Sequence, residues 1–478
     1  TSAPAAFKSR ARPVTAIVGD GLMRLRFVAR IDMSFSKDKR FCAEATLANS
    51  TLATVQIYTT DCSVLLLVAY FRRYDSFLKT EGPLQLASGL ARLGTESAFE
   101  LLARAKALEA QGHDIINLGI GQPDFRTPDH IVEAAQKALT DGHHGYTPGN
   151  GILPLREAVT EDVAKFRGVE VDPDQVVIVP GGKVTMWYAI LLFGEPGVEI
   201  MYPNPGFPIY ESVINYSGAK AVPIVLRESN QFAFDAEEVL SQVTPETRLI
   251  ILNSPANPTG GVVPRIEFDR LVTGLEAYPE VVVLSDEIYS RLLYDGTEFV
   301  SLLEYESLRD RLIVLDGWSK TYAMTGWRIG YGVWPNELVD LVTRLNINSV
   351  SCTNAATQYA AIAALRGPQD SVFEMAKAFD KRRKLIVEET NSIPGFTSLL
   401  PQGAFYTMPN ISGTGLSAKQ MEIFLLDELR IAAVAGTSFG AYGEGYMRFS
   451  YANSAENIQR AMARIRERGI EESWGVTT

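Results

Sequence analysis

Six short apolar runs recur down the chain, each followed by a turn rich in Gly, Pro or Asn and then a segment of helical period. They are Val176–Val179, Val198–Tyr202, Leu249–Leu252, Val281–Leu284, Leu312–Leu315 and Ile329–Val333. Most are near-continuous in Val, Ile and Leu, the pattern of strands buried on both faces. Strands that alternate with helices predict an α/β fold with an open, mostly parallel sheet flanked by helices. At 478 residues the chain exceeds one simple core, so two or three compact units are expected.

Composition narrows the chemistry. A net charge of −11 offers no basic surplus for a phosphate backbone, which argues against nucleic acid as a partner. Cys42, Cys62 and Cys352 lie far apart without metal spacing and fit a reduced compartment. The four histidines, His113, His130, His143 and His144, sit in no motif, so something other than imidazole must move protons. The apolar run Ser63–Phe71 is far below the roughly 20 residues that span a bilayer, and no membrane association is expected.

Ligands of open parallel sheets bind past the carboxyl ends of the strands. After Val176–Val179 come Gly181, Gly182 and Lys183, then a helix-like stretch. Two glycines there free backbone amides for a phosphate at a helix N-terminus, although a tight turn without a ligand explains them equally. After Val198–Tyr202, Phe207 could stack on a planar heterocycle or simply join the core. After Leu249–Leu252 a turn with two prolines and a glycine aims the amide of Asn257. Asp286 follows Val281–Leu284, and an acid at a buried strand end is costly unless paired. Lys320 follows Leu312–Leu315, where desolvation would expose a nucleophilic amine, and Arg328 adds a second cation. One structural ion pair between Asp286 and Lys320 would explain those two residues but not the other turns. Together the turns supply what a phosphorylated pyridine aldehyde needs.

At these residues the chain resembles the class I aminotransferases, the aspartate aminotransferase-like group of fold-type I pyridoxal-phosphate enzymes. The resemblance rests on LGIGQPDF (118–125), YTPGNGILPLRE (146–157), GGK (181–183), NSPANPTGG (253–261), SDEIY (285–289), WSKTYAMTGWRIGY (318–331), PQGAFY (401–406) and MRFSYA (447–452). It implies pyridoxal 5′-phosphate as cofactor, and L-amino acids and 2-oxo acids as substrates, with aspartate-like or broad specificity. Lys320 would form the Schiff base and shuttle the proton, and Asp286 would pair with the pyridine nitrogen. Asn257 and Tyr289 would bond the ring's phenolic oxygen, and Phe207 would stack on the ring. Gly182, Lys183 and Arg328 would hold the phosphate through backbone and guanidinium contacts, with Ser319 compensating for Gly317, where several relatives carry a hydroxyl. Tyr146 would reach the phosphate of a neighbouring subunit, which implies a homodimer with shared sites. Arg448 would clamp the substrate α-carboxylate, backed by Gly121.

A change of character near residue 86, together with the resemblance beyond it, gives four segments. Residues 1–85 form an N-terminal extension, 86–129 an arm and part of a small domain, 130–380 a large cofactor-binding domain, and 381–478 a small α+β domain. The extension is rich in Arg, Lys, Ser and Thr in its first forty residues, as organelle transit peptides are. Transit peptides are usually shorter, so a misplaced gene start is an equal expectation, and the default location is cytoplasmic. Two other functions fit the same pattern. A β-lyase would use the same constellation, and a transcription regulator would place a DNA-binding domain before an aminotransferase-like sensor. The extension lacks a helix-turn-helix signature.

Overall fold

The computed structural model describes residues 30–35, 41–46, 86–471 and 474. Two compact units separate at residue 86. In the first, Arg30–Phe35 pairs antiparallel with Phe41–Thr46; in sequence Ile31, Met33 and Phe35 alternate with Asp32 and Ser34, a run too short to mark a strand by itself. Apart from this pair, the transit-peptide-like segment and Ser63–Phe71 lie outside the described residues.

The second unit is built on a seven-stranded sheet. Its strands are β1 (Val176–Val179), β2 (Glu199–Asn204), β3 (Lys220–Val225), β4 (Thr247–Asn253), β5 (Val282–Asp286), β6 (Leu312–Gly317) and β7 (Gly330–Val333). Their spatial order is β1-β7-β6-β5-β4-β2-β3, with β7 antiparallel to both neighbours and the rest parallel. Six strands coincide with the apolar runs. The seventh, β3, was missed because it is an edge strand, only half-buried and interrupted by Pro223.

The unbroken apolar runs follow from burial on both faces. Val176, Ile178, Ile250, Val283, Leu312 and Val314 enter one core cluster. Their neighbours Val177, Val179, Ile251, Leu284, Ile313 and Leu315 enter another on the opposite face. Successive side chains alternate across the sheet, so both registers must be apolar. Among the described residues no helix is long and apolar enough to cross a membrane.

A smaller core gathers around Phe379, Phe405, Tyr406, Phe449 and Tyr451. Its strand Met447–Ser450 pairs antiparallel with Tyr406–Thr407 and with Val434–Ala435, while Ile431–Ala432 pairs parallel with Ile116–Asn117. The helix Asp370–Asn391 spans both cores, with Val372 in one and Met375 and Phe379 in the other. A helix covers Ser97–Ala110, and Ser97 and Glu100, though spaced as in a capping box, do not form one. Glu96 is the N-cap, and its side chain makes no capping bond.

Candidate active site

The carboxyl ends of β1, β2, β4, β5 and β6 open on one cavity of about 540 Å³, a size suited to a small organic ligand. Because β7 runs antiparallel, it begins where its neighbours end, and Arg328, just before it, reaches the same rim. Gly121, Gly182, Lys183, Phe207, Asn257, Asp286, Tyr289, Ser319, Lys320, Arg328 and Arg448 all line the cavity. Tyr146 does not. It stands 91% exposed on the surface.

Lys320 sits on the helical turn Trp318–Thr321 directly after β6 and donates from Nζ to the Gly121 carbonyl at 2.6 Å. Burial pulls its amine down to about 8, helped by Arg448, Arg328 and Lys183 and opposed by Glu96. A lysine at that value has an appreciable free-amine fraction near neutral pH.

Asp286 ends β5. Burial pushes its carboxyl up to about 6, against the Tyr210 hydroxyl, which donates to Oδ2 at 2.6 Å, and the Ile288 amide, which donates to Oδ1 at 3.2 Å. Tyr289 shares a 2.8 Å hydrogen bond with the Tyr406 hydroxyl, and burial raises its phenol well above the usual value. The backbone N–H of Asn257 donates to Asn253 Oδ1 at 2.9 Å, while its side-chain Oδ1 accepts from Arg448 Nη1 at 3.0 Å.

Arg448 is buried between the rings of Tyr406 and Phe439, 4.6 and 4.7 Å from their centroids, and also donates to the Gly119 carbonyl. It has no carboxylate partner among the described residues, and its Nε is buried without an acceptor. A guanidinium left in that state marks a place for an anion.

A second group of residues able to hold an anion lies at the start of the helix Lys183–Phe193. Gly181 adopts φ 91°, and a β-carbon there would collide with Arg328 Nη2. Only glycine lets the guanidinium close over these amides. Arg328 itself is left-handed at φ 52°, a conformation that costs a residue with a β-carbon about 1 kcal/mol. A β-carbon on Gly317 would lie 2.8 Å from Gly330 Cα, so the contact between β6 and β7 accounts for the missing hydroxyl. Ser319, nearby, is buried and lines the cavity.

Several participants went unread in the sequence. Tyr210 follows Phe207 by three residues in a helix start that reads as core. Tyr406 and Asn253 lie inside the motifs PQGAFY and NSPANPTGG but carried no assigned role. Glu96 bonds Lys183 Nζ at 2.9 Å across 87 positions, which no local pattern announces. Behind the site, Arg167 bridges Glu287 (2.9 Å) and Asp316 (2.6 Å), all three buried, and so ties the ends of β5 and β6 together.

Comparison with known proteins follows the same lines. The sequence profile of the family described as aminotransferase class I and II matches residues 113–465. An aspartate aminotransferase from Pyrococcus horikoshii is 38% identical over 374 residues, covering 78% of this chain and 94% of that protein. An aromatic-amino-acid aminotransferase from Thermococcus litoralis is 38% identical over 360 residues, covering 74% and 92%. The crystal structure of the aspartate aminotransferase from Rhizobium meliloti superimposes with a TM-score of 0.77 at 33% identity, covering 80% of this chain and 98% of that one.

Proposed function

This chain belongs to the class I and II aminotransferases, and from that premise we propose that it holds pyridoxal 5′-phosphate on Lys320 and transfers the amino group of an L-amino acid to a 2-oxo acid. The observation that carries the reading is the convergence of a low-pKa lysine, a buried carboxylate and two separate anion sites in one cavity. The cofactor fits the residues present: the glycine turn with Arg328 would take the phosphate, Asp286 the pyridine nitrogen, and Asn257 and Tyr289 the phenolic oxygen.

When bound, pyridoxal phosphate supplies a conjugated ring that draws electron density from the Cα of an attached amino acid. The chain's residues do the rest. Asp286 in its charged form would hold a proton at the ring nitrogen. Lys320, once its amine is free, would move the proton from Cα. Arg448 would orient the substrate by its α-carboxylate, and its bond to Asn257 couples that grip to the ring site. Phe207, which lines the same cavity, would stack on the ring.

The homodimer is part of the proposal. Tyr146 protrudes beside Gly149, whose loop abuts Ile347, and Ile347, Leu341 and Val350 leave an apolar face exposed. That face suits a second copy, whose site Tyr146 would complete. The divisions 86–129, 130–380 and 381–478 and a cytoplasmic location belong to the same reading.

The test is the absorbance spectrum of purified protein, wild type and Lys320→Ala, before and after an L-amino acid without acceptor, then with a 2-oxo acid. A cofactor band that shifts with the donor and returns with the oxo acid, in the wild type alone, is the expected result. A protein that takes up no pyridoxal phosphate would sink the proposal.

A further inference from the structure

We propose that Glu96 sets the side-chain preference of the site: by holding Lys183 it leaves, among the described residues that line the cavity, no free cation for a second carboxylate, so donors with neutral, apolar or aromatic side chains are favoured. This rests on the transaminase reading and narrows its substrate class.

An acid beside a helix start can bond or be attracted to the first free amides. Glu96 precedes Ser97–Ala110 and makes no such bond. Its Oε2 instead accepts from Lys183 Nζ at 2.9 Å, with the two side chains 20% and 39% exposed. Partial burial makes such a pair stronger than one on the open surface.

The charges of the cavity then leave nothing over. Among the described residues that line it, the cations are Lys183, Lys320, Arg328 and Arg448, and the acids are Glu96 and Asp286. Arg448 serves the α-carboxylate, Arg328 and the backbone amides of Gly182 and Lys183 the phosphate, and Lys320 the reaction, which among these residues leaves the Lys183 ammonium as the one cation for a side-chain carboxylate. Glu96 occupies it. An acidic side chain must displace Glu96 or lie against a like charge.

The same cavity also carries apolar lining from Ala98, Phe99, Ile120, Met186 and Ile288. Phe99 stands 57% exposed at the cavity edge, in the first turn of the helix that Glu96 begins, and a neutral side chain would cover it.

The test uses the full chain loaded with pyridoxal phosphate, as wild type, Glu96→Gln and Glu96→Asp. Two ratios are measured: kcat/KM for L-phenylalanine against L-aspartate, and calorimetric Kd for 3-phenylpropanoate against succinate, neither of which can react. The wild type is expected to favour the neutral member of each pair. Glu96→Gln should shift both ratios toward the dicarboxylate by about tenfold, equivalent to about 1.4 kcal/mol. Glu96→Asp, which keeps the charge, should retain more of the wild-type preference. A wild type that binds succinate as tightly as 3-phenylpropanoate, or an unchanged ratio in Glu96→Gln, overturns the proposal. If no donor turns over in any form, the transaminase reading fails, and the binding ratio alone decides the role of Glu96.

Discussion

Tyr210 donates a hydrogen bond to Asp286 Oδ2 at 2.6 Å, from a side chain with no solvent exposure, and so holds a buried carboxylate nearer its charged form. Burial raises this carboxyl to about 6, and the Tyr210 bond is the largest force against that rise. In Tyr210→Phe the carboxyl should therefore rise further. Cofactor binding that depends on the carboxylate is gained as pH increases through this value, so its midpoint should move upward. At pH 7 the affinity for pyridoxal phosphate should fall roughly tenfold, the size expected for one hydrogen bond to a charged group. Titration of affinity against pH checks this, and an unmoved midpoint would contradict it.

The same raised carboxyl predicts a conflict between stability and function. The folded chain binds the Asp286 proton up to about pH 6, whereas an ordinary aspartate releases it at 3.8. Between these values the native state holds more protons than the unfolded one, so stability falls as pH rises through the window and stays lower above it. At pH 7.5 the cofactor-free Asp286→Asn variant should be more stable than wild type, by at most about 3 kcal/mol. It should also lose most of its affinity for pyridoxal phosphate. Thermal unfolding of the two cofactor-free proteins decides it, and a lower midpoint in the variant would refute the account.

Gly181→Ala should damage the phosphate site more than the fold. The new methyl would strain a residue at φ 91° and push Arg328 away from the helix start. A loss of about 1–2 kcal/mol in stability is expected from the backbone alone. The affinity for pyridoxal phosphate should drop more than tenfold, because the guanidinium no longer closes over the amides. Equal affinity in the variant would show that Arg328 does not serve the phosphate.

Arg167→Met tests the support behind the site. It leaves Glu287 and Asp316 buried without their shared cation, and breaking a buried ion pair from one side costs about 3–5 kcal/mol. Burial already raises both carboxyls, with Arg167 as the main opposing charge, so both should become protonated more readily in the variant. Chemical denaturation at pH 5.5 and 8 should show a larger loss at the higher pH, where charging the unpaired acids is most unfavourable. A loss independent of pH would point to packing instead.

Much of this protein could be read in one dimension because the signals are local. A strand buried on both faces must be apolar at every position, so Val176–Val179 and Leu312–Leu315 stand out without any knowledge of their neighbours. Where burial is one-sided, as at Lys220–Val225, that signal vanishes. Likewise Asp286, Lys320 and Arg328 each sit within a few residues of a strand end, so the topology of a parallel sheet already places them at one edge.

Sequence alone therefore determined the alternating α/β pattern, the edge of the sheet that carries the chemistry, and the residue types assembled there. Tertiary structure decided how those residues are tuned. Tyr210 reaches Asp286 across 76 positions, Glu96 reaches Lys183 across 87, and Arg167 reaches Asp316 across 149. Such pairs depend on where whole helices and strands dock, and no spacing along the chain encodes them. The pKa values of Lys320 and Asp286 arise in the same way, from water excluded by segments distant in sequence.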